Sequence, residues 1–144
     1  VEKATPRAIL LYTGTSDVHG TTEMATVQAN YLALVNKLKA LAPGARLYLV
    51  GLHPVGNATT NAQRIAPFNA YLRSLAGGKA SYIDLCTDMT ATDGTALTTC
   101  VPADQNYLYG TGYARMARVI AKALKADFPT LSLHTPSDGD GALR

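Results

Sequence analysis

"LLYTGTSDVHG", Leu10 to Gly20, is an apolar run that breaks abruptly into Gly, Thr, Ser and Asp. The run begins at Ala8 and is nearly continuous to Thr13, the pattern of a strand buried on both faces. A turn after such a strand often presents reactive groups. Ser16, two residues after Gly14, therefore raises a question. Either it is a nucleophile, or it holds a place where another residue would do the chemistry.

Working outward, Met24, Val27, Tyr31, Leu34, Val35, Leu38 and Leu41 recur by threes and fours, which predicts an amphipathic helix from Thr22 to Leu41. Lys37 and Lys39 near its end and Glu23 in its first turn suit the helix dipole. "APG", Ala42 to Gly44, stops it. "RLYLVGL", Arg46 to Leu52, is the second strand. A second helix carries Ile65, Phe68, Leu72 and Leu75 on one face, and Pro67 either marks its first turn or kinks it. "SYIDL", Ser81 to Leu85, is the third strand. A long loop, Cys86 to Gly110, leads to a last helix with Tyr113, Met116, Ala117, Ile120 and Leu124 on its expected buried face.

Strand, helix, strand, helix, strand, loop, helix, joined by short right-handed crossovers, is an α/β domain with a parallel sheet of at least three strands in a three-layer α/β/α arrangement. One domain is expected over residues 1–129, with 130–144 as an extended tail. The chain has 144 residues, enough for one domain with a proper core. Its net charge is +3 with Lys and Arg dispersed, so no basic stripe points to nucleic acid. Its apolar runs are far too short to span a bilayer, and no signal-type segment is present. Residue 1 is Val, as expected of a chain processed, excised or taken from within something longer.

Cys86 and Cys100 flank one Thr-rich loop. A disulfide there closes a loop of about 15 residues and contributes roughly 3 kcal/mol; the alternative is a pair of free thiols. Oxidation is expected, because both ends of that loop lie at the carboxyl edge of the sheet. His19 and His53 come just after the carboxyl ends of strands, where α/β sheets bind ligands. His134 lies in the tail. Three isolated histidines and no Cys-x-x-Cys pattern give no metal site, and no cofactor motif is present.

Several stretches together resemble the SGNH, or GDSL-type, hydrolase family. "LLYTGTSDV" is similar to that family's strand ending in Gly-x-Asn-Asp. "APGARLYLVGLHP" resembles the next helix end and strand. "FNAYLRSLA" and "YIDLCTDMTATDGTALT" resemble the helix, strand and loop after it. "ADQNYLYGTGYARMARVIAKAL" resembles the closing block, Asp-x-x-His, then Gly-Tyr and a helix. The resemblance runs from Ala8 to Leu124 and implies a five-stranded parallel sheet that here lacks its first two strands. It also implies catalysis by a Ser in a Gly-Asp-Ser turn, an oxyanion hole that includes the Asn, and a base from the closing block.

Against that pattern the nucleophile turn is absent, Ser16 stands at the Asn position and Tyr107 at the His position, while Asp17 and Asp104 are retained. The residues C-terminal to Ser16 match the second half of the family, so Ser16 reads as the replaced oxyanion Asn rather than the nucleophile. Serine needs a base within hydrogen-bond reach, and tyrosine, with a reference pKa near ~10, is a poor substitute for imidazole. His19 and His53 are the candidate substitutes, or else ordinary loop histidines, and Tyr107, Tyr109 and Tyr113 cluster near the site, as packing groups or as a recognition surface.

Two functions compete. The first is a non-catalytic module, structural or binding, in a larger secreted or virion-type assembly, extracellular or virion-associated. The second is the C-terminal half of an ester hydrolase whose nucleophile lies on another segment or chain. By the resemblance, strand Ala8 to Thr13 belongs in mid-sheet, and "AILLY" carries no edge protection. Another protein chain, or an N-terminal segment of its own, is therefore expected to cover it.

Overall fold

Four consecutive apolar residues leave Ala8–Leu11 no polar face to turn to water, and they form strand β1. The computed structural model describes residues 5–102 and 107–133. After β1 come a short helix α1 (Thr15–His19), the long helix α2 (Met24–Leu41) and strand β2 (Arg46–Val50). Next are one turn of helix, α3 (Ala58–Thr60), a π-helical turn (Asn61–Ile65) and α4 (Ala66–Ser74). Strand β3 (Ala80–Ile83) and helix α5 (Gly110–Asp127) complete the described elements. The short helix α1 falls where the sequence reads only as a turn.

Pro67 marks a first turn. It lacks an N–H and crowds the carbonyl four residues earlier, so the helix widens just before it. The Ala66 N–H reaches five residues back to the Asn61 carbonyl, and regular α-helix resumes at Ala66.

The described sheet is parallel, in the order β1-β2-β3. Ala8 pairs with Arg46 and Leu11 with Leu49; Leu47 pairs with Ala80 and Val50 with Ile83. Side chains alternate along β2 between two cores. Leu47 and Leu49 join Val27, Tyr31, Val35, Phe68 and Leu72 under α2 and α4. Tyr48 and Val50 join Ile83, Leu85 and Leu124 under α5. Helices on both faces make three layers, α/β/α. Tyr48 is wholly buried, and its hydroxyl donates to Asp127 at 2.6 Å, tying the end of α5 to the sheet.

The expected apolar stripe of α2 is wider than the face it buries. Val27, Tyr31 and Val35 are buried, while Leu34 and Leu41 are exposed. A helix lying on a flat sheet covers a narrow strip, and Leu41 belongs to the last turn. Tyr113, expected to face inward on α5, is also exposed; Leu124 is buried as expected, together with Gly112, Ala114 and Ala121. After α5 the Leu131 N–H donates to the Phe128 carbonyl in a turn, and Phe128 and Leu133 pack on the α5-side core. His134 and the rest of the tail lie outside the described residues.

The expected disulfide is not formed: Cys86 and Cys100 are both free thiols. Their loop is closed by other means. The Cys86 thiol donates to the Leu52 carbonyl at 3.2 Å and accepts from Asn69 at 3.3 Å, against the α2/α4 core. Cys100 sits in a separate cluster with Met89, Ala96, Val101 and Leu108, under the loop itself.

Candidate functional site

Parallel strands end at one edge, and there the loops after β1 and β2 and the approach to α5 meet. Gly14 turns the chain from β1 into α1 with φ +103°, a left-handed conformation that glycine adopts without strain. A Cβ there would also press on Phe68 at 3.3 Å. This turn sets Thr15, Ser16 and His19 along α1. At the other side Gly112 lets α5 approach the long loop, where a Cβ would lie 2.6 Å from the Cys100 carbonyl oxygen.

Between these elements lies a cavity of about 320 Å³. Ser16, His19, His53, Tyr107 and Tyr113, five of the residues singled out in the sequence, line it. Asp17 does not line it and is exposed in the first turn of α1. Tyr109 caps the start of α5, its N–H donating to the Cys100 carbonyl at 2.7 Å. Asp104 lies outside the described residues. Tyr12, Thr15 and Leu108 complete the lining. Sequence reasoning passed over Tyr12, although its place directly after β1 puts it at the same edge.

His53 is buried, and its Nδ1 lies 2.6 Å from the Tyr12 hydroxyl. Burial raises Tyr12 above the usual phenol range, a Thr15 side-chain hydrogen bond opposes the rise, and Tyr113 and Cys86 add to it. Tyr12 therefore stays protonated at neutral pH. A phenol can serve His53 in either tautomer, donating to a bare Nδ1 or accepting from Nδ1–H.

His19 is held differently. Burial, and then the neighbouring Arg64 guanidinium, lower it below the usual imidazole range, so the neutral ring dominates at pH 7. Its Nε2 is buried with no hydrogen-bond partner among the described residues. Arg64 also clamps the end of α1, its Nε donating to the Val18 carbonyl at 2.5 Å and a terminal nitrogen to that of Thr22 at 2.8 Å. The Ser16 hydroxyl has no hydrogen-bond partner among the described residues.

Two asparagines pin the loop after β2. Asn69 accepts from the Leu52 N–H and donates to the Leu52 carbonyl, both at 2.8 Å. Asn61 does the same for Val55 and donates further to the Gly94 carbonyl. Both asparagines are buried, and together they hold the chain on either side of His53.

The family model for GDSL-like lipases and acylhydrolases matches residues 1–115, most of the chain. The chain belongs to this family. The three-layer architecture and the parallel order of the sheet are those the family implies. No curated protein matches the chain. Ser16 and Tyr107 line the same cavity. Among the described residues no group of three or more His, Cys, Asp or Glu side chains could hold a metal ion. No helix among them is long and apolar enough to cross a membrane.

Proposed function

We propose that this member of the GDSL-like family binds a small ligand without hydrolysing it, as a module of a larger secreted or virion-type assembly. The observation that carries the reading is Tyr107, a 72% exposed phenol on the cavity wall where the family pattern has its catalytic histidine. Phenols, hydroxyls and imidazoles around one cavity suit a ligand with carbonyl and hydroxyl groups, such as a short acyl ester or an acylated sugar.

The test has two readouts. Short p-nitrophenyl esters should show no turnover above background, while a non-hydrolysable ester analogue shifts the His19 and His53 imidazole resonances. Absence of any such shift would remove the binding role.

A second reading is favoured by one observation: Ser16 and two histidines, one of them held neutral, share the cavity. In it the chain is part of an ester hydrolase, with His19 or His53 as a relocated base. Turnover abolished by Ser16→Ala, or by His19→Ala or His53→Ala, would establish this reading in place of the first.

The proposal includes a partner at β1. Among the described residues β1 pairs only with β2, and Leu10 on it is 42% exposed. The Arg7 carbonyl bonds toward β2, so the backbone groups of Ala8 and Leu10 point the other way. A second protein chain, or an N-terminal segment of the same one, covers them. Slow amide exchange at Leu10 in the protein isolated from its source is the expected result, and fast exchange there would rule the cover out.

A further inference from the structure

At the amino edge of the sheet, opposite the ligand cavity, lies a wider concavity of about 570 Å³. Parallel strands begin at this edge as surely as they end at the other, and here each begins with a cation. Arg7 immediately precedes β1, Arg46 opens β2, and Lys79 immediately precedes β3; all three line the concavity. The hydrogen bonds at the strand starts bring them level. The Arg46 N–H donates to the Arg7 carbonyl at 2.9 Å, and the Leu47 N–H to the Lys79 carbonyl at 2.8 Å. Neighbouring strands are about 4.8 Å apart, so three positive side chains issue from adjacent strands.

Asp127 is the carboxylate among the lining residues, and it is already committed. It pairs with Arg46 Nε at 2.5 Å and accepts from the Tyr48 hydroxyl. Arg7 and Lys79 have no carboxylate partner among the described residues. The Arg7 guanidinium lies over the Phe128 ring, 5.1 Å from its centre. The cation–π contact leaves the guanidinium N–H groups for an oxyanion. Lys79 donates to the Pro43 carbonyl at 3.0 Å, which uses one of its three protons. Thr5 adds a hydroxyl to the lining.

We propose that this concavity binds the phosphate group of a phosphate monoester, at a site distinct from the ligand cavity at the carboxyl edge. A planar guanidinium, a second cation one or two strands away and a hydroxyl match a tetrahedral dianion. The dianion also relieves the repulsion among cations that the strand register forces together. The site does not depend on what the carboxyl-edge cavity does.

The test is a titration of the whole chain with inorganic phosphate, monitored by amide NMR against sodium chloride of equal ionic strength. Saturable shifts confined to the residues around Arg7, Gly44, Arg46 and Lys79 are expected. The double variant Arg7→Gln, Lys79→Gln should weaken binding about tenfold or more, since each loses a charge-assisted contact. Neither residue belongs to the Tyr48–Asp127–Arg46 network, and Lys79→Gln alone serves if the double variant fails to fold. Shifts reproduced by chloride, or binding unchanged in the variants, would overturn the site. Retention of the chain on vesicles containing phosphatidic acid, but not on pure phosphatidylcholine, would identify the monoester as a lipid headgroup. Binding of dissolved phosphate without retention would identify a soluble one.

Discussion

His19 joins the site's electrostatics to the stability of the fold. Its folded pKa is lowered, so the unfolded chain takes up the proton first as pH falls. The stability it contributes is present above pH 6.5 and is lost as pH falls below that value. Urea denaturation from about pH 8 to about pH 5 should show this loss, and His19→Gln should flatten it. An imidazole titration midpoint at or above 6.5 for His19 would contradict the account. Cys86 makes a second residue-scale prediction. Burial, and then the nearby Asp84 carboxylate, push its thiol up to about 11, far from the thiolate that reacts. A thiol reagent at neutral pH should leave Cys86 unmodified in the folded chain. Two thiols should react once the chain is unfolded in denaturant without reductant, whereas none reacting would restore the disulfide.

The π turn and its neighbours show how an element can position a site without touching ligand. Widening of the helix ahead of Pro67 accompanies the inward placement of Asn61, where its one amide group serves Val55 twice and Gly94 once. Asn61→Ala would leave the Val55 N–H unpaired in the interior and take a donor from the Gly94 carbonyl, while the Val55 carbonyl keeps the Ala96 N–H. The expected loss is roughly 2–3 kcal/mol, since buried groups left unpaired carry the full desolvation cost. Amide exchange should accelerate around Gly94 to Ala96 while β2 keeps its protection. An unchanged unfolding midpoint would mean that water replaces the side chain without cost.

Across the whole molecule, buried phenols set the alkaline limit. Burial, and then the hydrogen bond to Asp127, raise Tyr48 to about 12; burial, and then Asp84, raise Tyr82 to about 12. The fold favours the protonated phenols, so their contribution is complete below pH 10 and is lost as pH rises from 10 through about 12. Denaturation midpoints measured across that window should fall steeply. Tyr48→Phe should reduce the slope, although it also removes one hydrogen bond to Asp127. A slope unaffected by the substitution would exclude Tyr48 as the group that titrates.

The strands, the three long helices and their order were legible in the sequence because each rests on local periodicity. "AILL" is apolar throughout and "RLYLV" nearly so, and Val27, Tyr31 and Val35, each four residues apart, share the one buried face of α2. Parallel order by itself then puts Ser16, His19 and His53 at one edge. Tertiary structure decided what depends on partners distant in the chain. Arg64 clamps Val18 and Thr22, Asn61 holds Gly94, and Cys86 bonds Leu52 and Asn69 rather than Cys100. A shared place at the carboxyl edge suggested the disulfide, but a thiol's partner is fixed by where the sheet and its loops carry each side chain. The cations of the amino edge are illegible in the sequence for the same reason. Arg7, Arg46 and Lys79 are dispersed along the chain, and strand register alone makes them neighbours.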